Sequence, residues 1–289
     1  MKNMKIVTDC AADLPAEERE ALGIIEAPLY IQFPEGEVNS ADLTPDEFYD
    51  RLQAIHPKIP STAQPSSGIF AGIYQKLAET GKQIMSIHVS SGLSGTINSA
   101  RMGAEQLKEK VVSVVDSMTL SGGERFQVLA AALAAKTGWT VDSIKERLGK
   151  IRDNTEVIYT LDTLEYLARG GRIGRVQALM GSVLKIKPVI HVDHADGKYS
   201  TIGKGRTIPQ ALGIIADHLQ QIYKEKPLWV SIMHGRFADG AESLKKALGE
   251  RLNVRKLEIL RISPVLGVHT GPGIVGAAVV PMELMEGLA

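Results

Sequence analysis

The sequence predicts an α/β protein of two domains: a three-layer domain around a parallel sheet over residues 1–153, then a smaller two-layer domain with a mixed sheet over residues 154–289. Three observations carry this. In the first half, short apolar runs alternate with segments whose apolar residues return every three or four positions, the pattern of a parallel sheet covered by helices on both sides. Beyond Arg152 to Thr155 the alternation breaks, and "HVDHADGKYSTIGK" reads as a hairpin turned at Asp196-Gly197. A chain of 289 residues is long for one core and comfortable for two.

Taken in order, "MKIVTD" is the first strand, and "DLPAEEREALG" is a helix with Asp13 as N-cap, Pro15 in its first turn and Gly23 as its stop. "IIEAPLYIQF" reads as a single second strand. Thr44, Pro45 and Glu47 form a capping box that opens the next helix. "KIPSTAQPSSGIFAGIYQKLAETGK" gives a loop, a helix start at Ser66 or Ser67, and a C-cap at Gly81. The strand Ile84 to Val89, a helix from Thr96, the strand "VVSVVDS" and the helix "GGERFQVLAAALAAKTG" complete the first half. The second half has the strand "VIYTL", a helix from Asp162 ended by Gly170 and Gly171, a helix from Gly174 to Leu184, and the strand "KPVIHV" leading into the hairpin. A long helix from Ile208 to Lys224, the strand "LWVSIMH", a helix from Ala238 to Arg251 and the strands "LEILRIS" and "GIVGAAVVP" follow. The helices of this half are expected on one face of its sheet.

The 33 basic residues balance the 33 acidic ones, which removes any electrostatic reason to bind nucleic acid or an anionic membrane. No segment has the length of a membrane-spanning helix, so no stable membrane insertion is expected. The single cysteine, Cys10, excludes an internal disulfide, and a cytoplasmic, reduced setting is the default.

Several motifs fail on their context. "GPGIVG" matches G-x-G-x-x-G but runs into a strand, not a helix. "GKYSTIGKG" has P-loop spacing one residue too long, with Gly205 where a hydroxyl should hold magnesium. "GLSG" lacks one residue of a nucleophile elbow. The acids of "HVDHAD" are explained by the turn without a metal, and Cys10 reads as a small buried hydrophobe. In "LARGGRIGR" a helix C-cap accounts for Arg169 and Gly170 but less well for Arg172. What remains is a set of hydroxyls and glycines on separate loops: Ser61 and Thr62, then Ser90, Ser91 and Ser94, then "VHTGPG". Loops beyond the carboxyl ends of parallel strands converge on one crevice, so Thr62 and the "SSGLSG" loop can face a common ligand. Hydroxyl and N–H donors without lysine suit a carboxylate or similar small anion.

Together "VTDCAADLP", "PSTAQPS", "HVSSGLSGTINSA", "LDTLEYLARGGRIG", "LKIKPVI" and "HTGPG" resemble the DegV family, the fatty-acid-binding subunits of bacterial fatty acid kinase, in order across nearly the whole chain. The resemblance implies a long-chain fatty acid such as palmitate or oleate lying in a tunnel between the two domains. It implies that Thr62 and Ser94 hold the carboxylate, that His269 supports that network, and that amides at the helix start after Gly95 add dipole stabilisation. The helix carrying Val176, Leu179, Met180, Val183 and Leu184 is a candidate tunnel wall, with core packing an equally good reading of the same residues. Arg172 becomes the candidate contact with the kinase's catalytic subunit. Cys10 and Ala63 stand where the family often has serine. No cofactor, metal or catalytic residue is expected in a chain that binds, presents and delivers its ligand. Two other readings make different predictions: an acyl hydrolase with Ser94 as nucleophile and His269 as base, and a nucleotide-binding regulator stabilised by ATP or NAD.

Overall fold

The computed structural model describes residues 4–80, 82–109, 111–179 and 186–288. Its first half runs β1 (Lys5–Asp9), α1 (Ala16–Leu22), β2 (Ile25–Ala27), β3 (Tyr30–Phe33), β4 (Gly36–Asn39), α2 (Pro45–Ala54), β5 (Ser61–Ala63), α3 (Ser67–Ala78), β6 (Ile84–His88), α4 (Thr96–Glu105) and β7 (Val112–Asp116). Two long helices, α5 (Ser121–Lys136) and α6 (Val141–Asn154), lead to β8 (Glu156–Thr160) and α7 (Glu165–Arg169). Then come β9 (Lys187–Val192), β10 (Tyr199–Gly205), α8 (Ile208–Tyr223), β11 (Leu228–His234), α9 (Ala238–Gly249), β12 (Val254–Arg261), α10 (Pro264–Thr270) and β13 (Val275–Pro281).

The expected parallel sheet is present in the order β2-β1-β6-β7. The expected mixed sheet has six strands in the order β10-β9-β8-β13-β11-β12, antiparallel throughout except for the β11/β12 pair. Strand periodicity sorts the side chains. In the parallel sheet Val7 and Ile84 pack on α3 and α4 with Phe70, Tyr74 and Ala100, while Ile6, Met85 and Ile87 point to the opposite face, toward α5. In the mixed sheet Ile158 and Val189 meet α8 and α9, and Val157, Tyr159 and Ile190 point back toward α5.

Helix α5 is therefore a layer shared by both sheets, and it is buried without interruption from Ser121 to Ala132. An apolar stripe on every side is what such a helix needs, and "VLAAALAA" supplies it. Gly122 and Gly123 set its distance from the mixed sheet: a methyl at these positions would lie 2.6 Å from Ala278 Cβ and 2.6 Å from Val157 Cγ2. The same helix carries Arg125, fully buried, whose Nε and Nη2 donate to Glu18 of α1 at 2.9 and 2.6 Å and whose Nη1 and Nη2 donate to Glu258 of β12. Burial opposes the charge, but hydrogen bonds and attraction from Glu258 and Glu18 outweigh it and raise the guanidinium pKa.

Several local readings hold. Thr44 and Glu47 make both halves of the capping box, Ser66 caps α3, and the β9/β10 hairpin turns at Asp196-Gly197 with Gly197 at φ +64°. Others are corrected. "IIEAPLYIQF" is two strands in two sheets: β2 ends before Pro28, which has no N–H to give a ladder, and β3 joins a separate antiparallel sheet ordered β4-β3-β5. Thr62 lies on the edge strand β5 of that sheet, not on a loop. Asp13 does not cap α1; it adopts the left-handed conformation, and its carboxylate accepts from Ser121 Oγ and from the Ser263 backbone N–H, both at 2.6 Å. The helix expected from Gly174 to Leu184 is a short 3-10 helix over Gly174–Leu179; Met180, Val183 and Leu184 lie outside the described residues, as does the Gly81 cap. The "VHTG" segment is no loop: its Val268, His269 and Thr270 close α10, and Gly271 follows as the C-cap.

Candidate functional site

Four of the residues singled out above line one pocket, although they arrive from four directions. Thr62 is on β5, opposite Ile31 of β3. Ser94 is in the turn between β6 and α4. His269 is in the last turn of α10, and Arg172 follows α7. All four line a cavity together with Gln64, Leu93, Tyr199 and Leu266. Gly95 is the N-cap residue of α4 and lies in an adjoining outer groove, whose lining shares Leu93, Ser94, Arg172 and Tyr199 with the pocket and adds Arg175 and Lys198. Arg172 thus borders both spaces, and its guanidinium is fixed by the carbonyls of Gly170 (2.7 Å) and Leu93 (3.4 Å).

Thr62 Oγ1 and His269 Nε2 share a hydrogen bond of 2.9 Å. The other ring nitrogen of His269, Nδ1, is buried and makes no hydrogen bond. Gly170 explains how that nitrogen fits, because a Cβ there would lie 2.2 Å from it. The glycine that reads from sequence as part of a helix cap is thus also what admits the histidine. Ser94 Oγ pairs with Thr96 Oγ1 at 2.8 Å and accepts from the Thr96 N–H at 3.3 Å, so this hydroxyl caps the start of α4. Ser90 and Ser91 have structural partners: Ser90 Oγ donates to the Gly197 carbonyl across to the second sheet, and the Ser91 amide donates to Asp116.

Burial, reinforced by the Arg172 charge, lowers the His269 pKa to about 4, so the ring is neutral at pH 7. Between the ordinary value of 6.5 and that depressed value, the unfolded chain binds more protons here than the folded protein does. The contribution of His269 to stability is therefore complete above pH 6.5 and declines as pH falls toward 4, by on the order of 3 kcal/mol. Urea unfolding at pH 7 and pH 4.5 should show this loss, and His269→Gln should remove that part of the pH dependence.

Beyond the polar pocket lies an apolar one. It shares Leu120, Tyr199 and Leu266 with the first and continues along Val157, Tyr159, Met233, Ile262 and Ala278, between the start of α5 and the mixed sheet. The three spaces form a series: a basic outer groove, a polar pocket, then a greasy recess. The hydrolase geometry is not assembled, since Ser94 Oγ bonds Thr96 and His269 bonds Thr62. A Ser–His–Asp relay does exist elsewhere, Ser86–His88–Asp9 at 2.6 and 3.0 Å, but all three residues are fully buried and Ser86 is capped by Tyr74. Cys10 is also buried, which pushes its thiol pKa well up and leaves it a packing residue. No helix among the described residues is long and apolar enough to cross a membrane.

The chain resembles known proteins over nearly its whole length. It is 34% identical to a DegV domain-containing protein of Clostridium acetobutylicum over 281 residues, covering 96% of this chain and 99% of that one. It is 33% identical to a DegV domain-containing protein of Deinococcus radiodurans, covering 97% and 96%. Among solved structures, a fatty-acid-binding DegV family protein from Thermus thermophilus superimposes with a TM-score of 0.90 at 29% identity, covering 96% of this chain and 99% of that one. DegV of Bacillus subtilis, a fatty acid binding protein, superimposes with a TM-score of 0.86 at 28% identity, covering 97% and 100%. A stearic-acid-binding protein from Eubacterium ventriosum does so with a TM-score of 0.86 at 26% identity, covering 96% and 98%. The pattern of the DegV family, described as uncharacterised, matches residues 3–282, and with relatives this similar end to end the chain belongs to that family.

Proposed function

We propose that this protein binds a long-chain fatty acid, with its carboxylate in the polar pocket and its tail in the apolar recess. The observation that carries this is that a polar and an apolar pocket adjoin, sharing Leu120, Tyr199 and Leu266 as lining, one lined by Thr62, Ser94, Arg172 and His269 and the other by aliphatic and aromatic side chains. Two hydroxyls and a guanidinium suit an anionic head. Tail burial is favourable by about 0.8 kcal/mol per CH₂, so roughly 16 carbons contribute on the order of 10 kcal/mol before ordering and association costs. Affinity comes mainly from the tail, and orientation from the head. The fatty-acid-binding relatives from Thermus thermophilus and Eubacterium ventriosum support the ligand class.

The chain is a carrier in this reading, acting in the cytoplasm without a cofactor, and its two domains divide near Arg152 to Thr155. The outer groove presents the carboxylate edge to a separate kinase subunit, where Arg172 and Lys198 offset the charge that accumulates as a phosphoryl group is transferred to the carboxylate, while Arg175 is paired with Asp193 and Asp196. Arg172, between groove and pocket, serves both the head group and the docking face.

Native mass spectrometry of the purified protein tests the binding. One long-chain fatty acid per chain, retained on gentle desolvation and exchangeable for added palmitate, is the expected result. A protein that carries no lipid and does not take up palmitate or oleate would overturn the reading. Hydrolysis of an ester substrate abolished by Ser94→Ala would establish the hydrolase instead.

A further inference from the structure

On the far side of the mixed sheet from α5, three elements bring a carboxylate and imidazoles together. Glu156 of β8, His191 of β9 and His218 of α8 each offer a ligand atom, and these atoms lie within 4.8 Å of one another. His191 Nδ1 is 2.7 Å from Glu156 Oε1, and His218 Nε2 is 3.8 Å from the same oxygen. His194, in the hairpin turn, places Nε2 at 3.5 Å from the second oxygen, Oε2. Residues so far apart in sequence share no local motif; sheet order and the packing of α8 on β8 and β9 juxtapose them.

We propose that Glu156, His191 and His218 form a binding site for a divalent transition-metal ion of the zinc class, separate from the fatty-acid pocket. The donor set, two imidazoles and one carboxylate, is a known zinc combination with a coordination position left open. Ligand bonds of about 2.0–2.2 Å in tetrahedral geometry place donor atoms roughly 3.3–3.6 Å apart, between the separations seen here. His218 Nε2 is buried and makes no hydrogen bond; it is too far from Glu156 Oε1 to donate to it, yet at a spacing an ion bridges. His194 Nε2 stands near the second oxygen, Oε2, and an ion bound at Oε1 would take the place of the His191–Glu156 hydrogen bond. Three of the four groups stand on strands or a helix, which fixes their spacing.

The test uses the full chain after treatment with a chelator, titrated with Zn²⁺ alone in a calorimeter and with Co²⁺ alone in a spectrophotometer. One equivalent of Zn²⁺ binding, and the visible absorption of low-coordinate Co²⁺ displaced by Zn²⁺, are expected. His218→Gln leaves the His191–Glu156 hydrogen bond in place and should weaken Zn²⁺ binding at least about tenfold; Glu156→Gln should do the same. His234→Gln, remote from the cluster, should change nothing. Circular dichroism and palmitate binding confirm that each variant is folded. Absence of stoichiometric metal binding, or binding equally tight in both His218→Gln and Glu156→Gln, would sink the proposal and leave a hydrogen-bonded histidine–carboxylate cluster.

Discussion

Arg125→Ala lowers the free energy of unfolding by about 3–5 kcal/mol, because it strips the shared counter-charge from Glu18 and Glu258 in a site largely closed to water. Ordinary surface ion pairs contribute about 0–1 kcal/mol. This one differs because the guanidinium has no exposure at all, and it makes four charge-assisted hydrogen bonds plus contact with the Trp229 ring at 5.9 Å. Arg125→Lys keeps the charge but cannot form two forks, so it should be intermediate. Arg125→Met combined with Glu18→Gln and Glu258→Gln removes all three charges and should recover much of the loss. Guanidinium chloride unfolding measures each variant, and a loss under about 1 kcal/mol for Arg125→Ala would mean that solvent reaches this cluster in the folded state.

Thr62→Val combined with Ser94→Ala weakens palmitate binding by about 100-fold or more while leaving the fold intact. Hydrogen bonds to a charged group contribute about 1.5–3 kcal/mol each, and both hydroxyls line the pocket assigned to the carboxylate. Valine preserves the shape of threonine on β5, so the loss reads the hydroxyl together with its hydrogen bond to His269 Nε2. The tail is untouched, so a long-chain alcohol, which lacks the anion, should be affected far less than palmitate. An unchanged dissociation constant for palmitate would place the head group elsewhere.

Much of the scaffold is legible in the sequence because its signals are local. The alternation of apolar runs and helical periods gives the parallel sheet, Thr44 and Ser66 announce their helices, and Asp196-Gly197 announces its hairpin. The small antiparallel sheet is not legible. β5 has three residues in a hydroxyl-rich stretch with no periodicity, and only its partner β3, about thirty residues earlier, makes it a strand. α10 is seven residues long and contains Gly267, too little for a helical period to register. Asp13 looks like an N-cap because the competing partners, Ser121 and Ser263, are 108 and 250 residues away. Within the site, the hydroxyls of Thr62 and the "SSGLSG" loop are legible as residues expected to converge beyond the strands, and the family resemblance adds the role of His269; that Arg172 and Gly170 shape the same pocket depends on the turn after α7, which no spacing rule reveals. The Glu156 cluster is invisible for the same reason: strand order and the packing of α8, not sequence spacing, put its residues side by side.

A helix wedged between two sheets, whose own arginine ties α1 to β12, has a kinetic consequence. The halves of the molecule cannot gape like a clamshell without exposing α5 and breaking the Glu18–Arg125–Glu258 bridge. In the proposed binding mode, a lipid tail enters the recess lengthwise from the polar pocket, past Tyr199 and Leu266, which line both spaces. Residence time should therefore track the bulk of those two side chains more closely than global stability.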